Sequence, residues 1–148
     1  MENLKIRDSI ILCAAFLIFM FLMVSCGKKA VKPVSEDSKI AQEAFGLADT
    51  IKDAYIKNDR AILEKNSTKD GYKAITEARK SFEGAELSFS PRWVEIDGST
   101  VNLHVAWNGN WFIKGKKIED RGLAVFVMEG SPLKFVKVLR DNPFKQPE

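Results

Sequence analysis

Val101-Asn102-Leu103-His104-Val105-Ala106-Trp107-Asn108-Gly109-Asn110-Trp111-Phe112-Ile113 is the stretch from which the fold can be read. Apolar residues or glycine hold every odd position, and polar residues hold the even ones apart from Ala106 and Phe112. A period of two is the side-chain alternation of a strand with one buried face. Asn108-Gly109 in isolation signals a tight turn. The unbroken parity on both sides of it argues instead for one long strand, with Gly109 as a bend or a point of close approach.

The same period extends outward in both directions. Upstream, Leu87 and Phe89 alternate with Glu86, Ser88 and Ser90. After Pro91 the apolar parity flips to Val94 and Ile96, which predicts a bulge near Pro91-Arg92. Asp97-Gly98 then makes a hairpin turn. Downstream, Lys114-Gly115-Lys116 turns the chain into a partner strand over 118–128. Glu129-Gly130-Ser131-Pro132 turns it again into a last strand over 133–140, with apolar residues on both faces. Asp141-Asn142-Pro143 ends that strand, and Phe144 is expected to dock on the domain edge.

Before residue 84 the period is helical. Ile40, Ala44, Leu47, Ala48, Ile51, Ala54 and Tyr55 form one amphipathic stripe behind the N-cap candidates at 35–38. Asn58 ends the stripe. Asp59 can cap a short second helix over 60–65, with Ala61, Ile62 and Leu63 turned inward. Residues 66–71 read as a break, and a third helix is predicted over 72–82, stopped by Gly84. Three helices followed by a four-stranded antiparallel meander make an α+β domain, with the helices on one face of the sheet.

The first residues carry a different signal. Lys5 and Arg7 precede an unbroken apolar run from Ile10 to Val24, closed by Ser25-Cys26-Gly27 and then Lys28-Lys29. Such a run reaches roughly 22 Å, short of the ~30 Å hydrocarbon core, and suits a secretory signal better than a span. Met23-Val24-Ser25-Cys26 resembles the lipobox of bacterial lipoproteins, with Met23 where leucine is usual. The resemblance implies cleavage between Ser25 and Cys26 and a diacylglyceryl group on the Cys26 thiol. More than one acyl chain is what stable anchoring takes. Gly27, rather than aspartate, implies the outer membrane if the cell has one. The competing reading is an uncleaved signal anchor with an incidental cysteine. The organisation is therefore a signal peptide over 1–25, a lipidated tether over 26–37 and one domain over 38–148.

Composition limits the function. The formal charge is +3, and loss of residues 1–25 leaves it unchanged, because two basic and two acidic residues go together. The remaining charges interleave, without the basic stripe of a nucleic-acid face. Apart from Cys26 the mature chain has no thiol, so no disulfide is expected. His104 is the only histidine. Without a second histidine or a free cysteine it is no basis for a metal site, and it is read as an exposed or interface residue. No cofactor is implied.

The element order resembles the nuclear transport factor 2-like superfamily, within the wider cystatin-like group. The matching features are the Ala-rich first helix, Asn58-Asp59 before a short second helix, Trp107 to Trp111, Arg121-Gly122 before an apolar strand, and Asp141-Asn142-Pro143-Phe144. Many members insert a strand between the second and third helices, and none is visible here. The resemblance implies a curved sheet wrapped on helices into a cone with a pocket. In that frame Gly109, between Trp107 and Trp111, would leave a gap. The expectation is an apolar cavity lined by Tyr55, Trp107, Trp111 and Arg121, holding a small apolar or weakly anionic molecule. Each residue has a plainer reading. Aromatics at core parity, Trp93 included, fill cores, and Arg121 can pair with Asp120 or Glu119. Asp120 is the one acid to nominate for isomerase chemistry. The expected function is a lipid-anchored, extracytoplasmic protein that binds a small ligand or a protein partner without catalysis. An isomerase- or hydrolase-type enzyme and a module that dimerises through its sheet are the alternatives.

Overall fold

In the computed structural model, which describes residues 34–147, the chain enters its first helix at Ser35. The signal segment, Cys26 and most of the tether lie outside the described residues. The Ser35 hydroxyl accepts the Ser38 N–H at 3.2 Å, and Glu36 and Asp37 occupy the first turn, where the helix dipole favours carboxylates. Two residues expected in the tether thus belong to helix α1, Glu36–Lys57. Its buried stripe is Ala44, Leu47, Ala48, Ile51, Ala54 and Tyr55. Asn58 ends it in the left-handed conformation at φ 56°, which lets the Asp59 N–H reach the Ala54 carbonyl at 2.8 Å.

Helix α2 is Arg60–Asn66, capped by Asp59, whose carboxylate accepts the Ile62 N–H at 3.0 Å. Only Leu63 is buried in it; Ala61 and Ile62, expected to face inward, are exposed. A helix this short can turn only a narrow stripe to the core. Helix α3 is Lys69–Ala78, starting and ending before the predicted span. Thr68 caps it by accepting the Gly71 N–H at 3.1 Å. Its early end has a cause at Arg79, which is extended and donates from Nε to the Tyr55 carbonyl at 3.2 Å. Phe82 consequently stands in an extended approach to the sheet, 5.7 Å from the Tyr55 ring. Between α2 and α3, Ser67 forms a single parallel bridge with Phe135.

The sheet is antiparallel throughout, in the order β1 (Gly84–Asp97), β2 (Thr100–Ile113), β3 (Lys116–Glu129), β4 (Lys134–Arg140). The long central strand is continuous through Gly109, as its parity requires. The register of β1 against β2 shifts between Pro91 and Trp93, and Phe89 and Val94 both pack against the core on either side of that bulge. Lys114 and Gly115, at φ 50° and 72°, form the two-residue loop between β2 and β3. Positive φ at both positions matches the natural twist of a hairpin.

The helices cover one face of this sheet. Gly71 lets α3 lie directly on β4: a Cβ there would stand 2.3 Å from the Phe135 carbonyl oxygen. Phe144 does not dock at the edge. It is fully buried, with its ring 5.2 Å from Tyr55, 5.9 Å from Phe126 and 6.0 Å from Phe135. A phenylalanine offers too much apolar area to leave at a rim when an interior position is in reach. Among the described residues no helix is long and apolar enough to cross a membrane.

Candidate functional site

The four residues expected to line one cavity divide into two pairs. Tyr55 and Trp111 are wholly buried, and the Trp111 indole N–H donates to the Tyr55 hydroxyl at 3.4 Å. The gap expected above Gly109 is filled by the Trp111 ring itself. A Cβ at Gly109 would lie 2.3 Å from Trp111 Cη2 and 2.8 Å from Leu87 Cδ2. Glycine is present because the ring folds back over it, so the position is packed core and not a ligand space. Burial pushes the Tyr55 hydroxyl above its ordinary 10.0, against smaller opposing pulls from the Trp111 hydrogen bond and the Arg79 charge.

Trp107 and Arg121 do share a space, but a polar one. A cleft of about 320 Å³ lies between β3 and the C-terminal segment, bordered by Trp107, Asp120, Arg121, Asp141, Asn142 and Lys145. Its floor is tightly tied. Trp107 Nε1 donates to the Asp141 carbonyl at 3.2 Å, and Asp141 Oδ2 accepts the Leu123 N–H at 3.0 Å. Gly122 makes room for that carboxylate, since a Cβ there would meet Asp141 Oδ2 at 2.7 Å. Asn142 Oδ1 accepts the Phe144 N–H at 2.9 Å and so directs the chain inward. Asp120, nominated for isomerase chemistry, is exposed at the rim and accepts the Arg121 backbone N–H at 2.8 Å. It is not enclosed in the apolar pocket such a base would need.

The other face of the sheet carries an unexpected feature. Trp93, Leu123 and Leu139 are 52%, 50% and 44% exposed. Register brings them together, because Ala106 lies opposite Leu123 and His104 opposite Val125, itself opposite Leu139. Trp93 stacks on His104 at 4.2 Å and 19°. Both touch Glu95: Trp93 Nε1 donates to Oε1 at 3.2 Å, and His104 Nε2 stands 3.3 Å from Oε2. The Trp93 hydrogen bond, then His104, holds the Glu95 carboxyl below the usual range. Arg92 and Arg140 flank a shallow dimple between Trp93, His104 and Leu123. Among the described residues no group of three metal-binding side chains converges. The sequence held a signal for this patch: once parity flips at Pro91, Val94 faces in and Trp93 must face out.

No family model matches the chain, and no curated protein does. Among the solved structures that share its architecture is a nuclear transport factor 2 (NTF2-like) superfamily protein from Salmonella enterica serovar Typhimurium, with a TM-score of 0.61 at 14% identity, over 69% of this chain and 89% of that one. The domain has the nuclear transport factor 2-like fold. At this identity the likeness concerns the fold, which hosts both binding proteins and enzymes, so function has to be read from the site. In this nuclear transport factor 2-like domain, the space between helices and sheet is occupied by Tyr55, Trp111, Phe126, Phe135 and Phe144.

Proposed function

We propose that the protein is a membrane-anchored, extracytoplasmic lipoprotein whose domain binds a protein partner and catalyses no reaction. The observation that carries the binding part is the outer sheet face, where Trp93, Leu123 and Leu139 stand exposed together while the interior is filled by the chain's own rings. Grouped exposed apolar residues mark docking surfaces, and single ones do not. Arg92 and Arg140 at the dimple suit a partner that sets an apolar side chain beside a carboxylate. Support for the anchor comes from the sequence Met23-Val24-Ser25-Cys26 and the short apolar run before it.

Two experiments test the two halves. Cys26→Ala is expected to abolish labelling by a fatty-acid analogue and to stop cleavage after Ser25; persistent labelling would overturn the anchor. A photo-crosslinking residue at Leu139 is expected to yield one discrete adduct in cells, weakened by Trp93→Ala. The same probe at Lys73, on the exposed side of α3, is expected to yield none. Equal labelling from both positions would remove the case for the sheet face.

A further inference from the structure

Strand β3 is longer than its neighbour. Strand β4 pairs with it only from Ala124 to Glu129, so among the described residues the stretch 116–122 has β2 on one side and no strand on the other. Backbone polarity along this free edge follows from one contact. Leu123 exchanges hydrogen bonds with Asp141 on the side away from β2. By alternation, the N–H and C=O groups of Lys117, Glu119 and Arg121 point the same way. The Arg121 N–H is taken by Asp120, which leaves Lys117 and Glu119 as the open center of the edge.

An exposed edge is ordinarily blunted by charge. Here the charges are ordered: Lys116 and Lys117, then Ile118, then Glu119 and Asp120. Two positive residues and two negative ones stand on opposite sides of one apolar residue. We infer that the chain pairs with a second copy of itself along this edge, antiparallel and centred on Ile118. In that register Lys117 faces Glu119 of the second copy, Lys116 faces Asp120, and Ile118 faces Ile118. Each pair recurs by symmetry, so every directly opposed charged pair is attractive. The backbone groups of Lys117 and Glu119 then close about four interchain hydrogen bonds. Neighbouring registers fail. Centring on Glu119 opposes it to itself and Lys117 to Arg121; centring on Lys117 or Asp120 opposes like charges at the axis. Within one chain Lys117 and Glu119 already meet at 2.5 Å, so pairing extends an existing ion pair into a ladder of four charges.

The contact is small and of the weak class, and it is separate from the outer-face patch, so a cross-link at 118 and an adduct at 139 succeed or fail independently. Opposed residues of a non-hydrogen-bonded antiparallel pair lie about 4.5 Å apart at Cα, within disulfide reach. In the full-length chain purified in detergent, Ile118→Cys is therefore expected to form a disulfide dimer under mild oxidation, above the background of the chain without the added cysteine. Lys117→Cys and Glu119→Cys are expected to stay at background alone and to cross-link when mixed. Adding K116E/K117E to the Ile118→Cys chain should cut its dimer yield roughly tenfold. Mixing that chain with one carrying E119K/D120K and the same cysteine should restore it, because the two edges are then all-negative and all-positive. These charge variants alter exposed side chains only. Equal yields from Ile118→Cys and Glu119→Cys, or full dimer yield from the all-negative edge alone, would overturn the pairing.

Discussion

Gly109 decides where a tryptophan sits. With no Cβ, it admits the Trp111 ring at a distance no side chain would allow, and Trp111 in turn reaches the Tyr55 hydroxyl. Gly109→Ala forces that ring out of packed core and is expected to cost about 1–3 kcal/mol, read from the denaturation midpoint at unchanged slope. Tyr55→Phe removes the acceptor of a buried indole N–H and is expected to cost about 1–3 kcal/mol near neutral pH. Its pH dependence has a defined sign. The folded hydroxyl titrates above 10.0, so its contribution is complete below that value and is lost as pH rises through the raised folded one. Wild type should therefore lose stability on the alkaline side faster than Tyr55→Phe, and parallel profiles would contradict the burial of that hydroxyl.

The segment after β4 is held by one side chain more than by any regular element. Gln146 is almost fully buried; its Oε1 accepts the Lys80 N–H at 2.6 Å and its Nε2 donates to the Lys80 carbonyl at 2.8 Å, as a neighbouring strand residue would. Gln146→Glu keeps the acceptor, loses the donor and buries a charge. It is expected to destabilise by about 2 kcal/mol or more, and more than Gln146→Ala, in equilibrium unfolding. Such a clip has no sequence signature, because it depends on Lys80 and Gln146 meeting from distant parts of the chain. What the sequence does disclose are local rules. The parity of 101–113 announces a strand through Asn108-Gly109, the flip at Pro91 announces the bulge, and Asn58-Asp59 announces one helix end and one helix start. The bounds of helix α3 are not legible locally, since its start depends on Gly71 lying against the Phe135 carbonyl and its end on Arg79 reaching Tyr55. Phe144 follows a turn and belongs to no periodic run, so its depth is set by tertiary packing alone. The pocket expectation failed for a related reason: a small residue between two large ones signals close approach, and the approaching group was one of the two rings.

Across the whole domain the cone is closed from within. Phe144→Ala is expected to cost about 3–5 kcal/mol and to leave a cavity among Tyr55, Phe126 and Phe135. A dry cavity of that kind takes up small aromatic molecules. Benzene or indole should raise the melting temperature of the variant and leave wild type unmoved, and a shift of both alike would mean the native interior is open. The burial of Phe144 also has a temporal side. The ring cluster joins residues 55, 126, 135 and 144, contacts of long sequence separation that form late. While the chain is being made, nothing upstream of Phe144 can complete this core, because Tyr55, Phe126 and Phe135 keep one open side until its ring arrives. For a protein proposed to act beyond the membrane, a core closed by a ring C-terminal to every described helix and strand delays stable folding until the last of them has emerged.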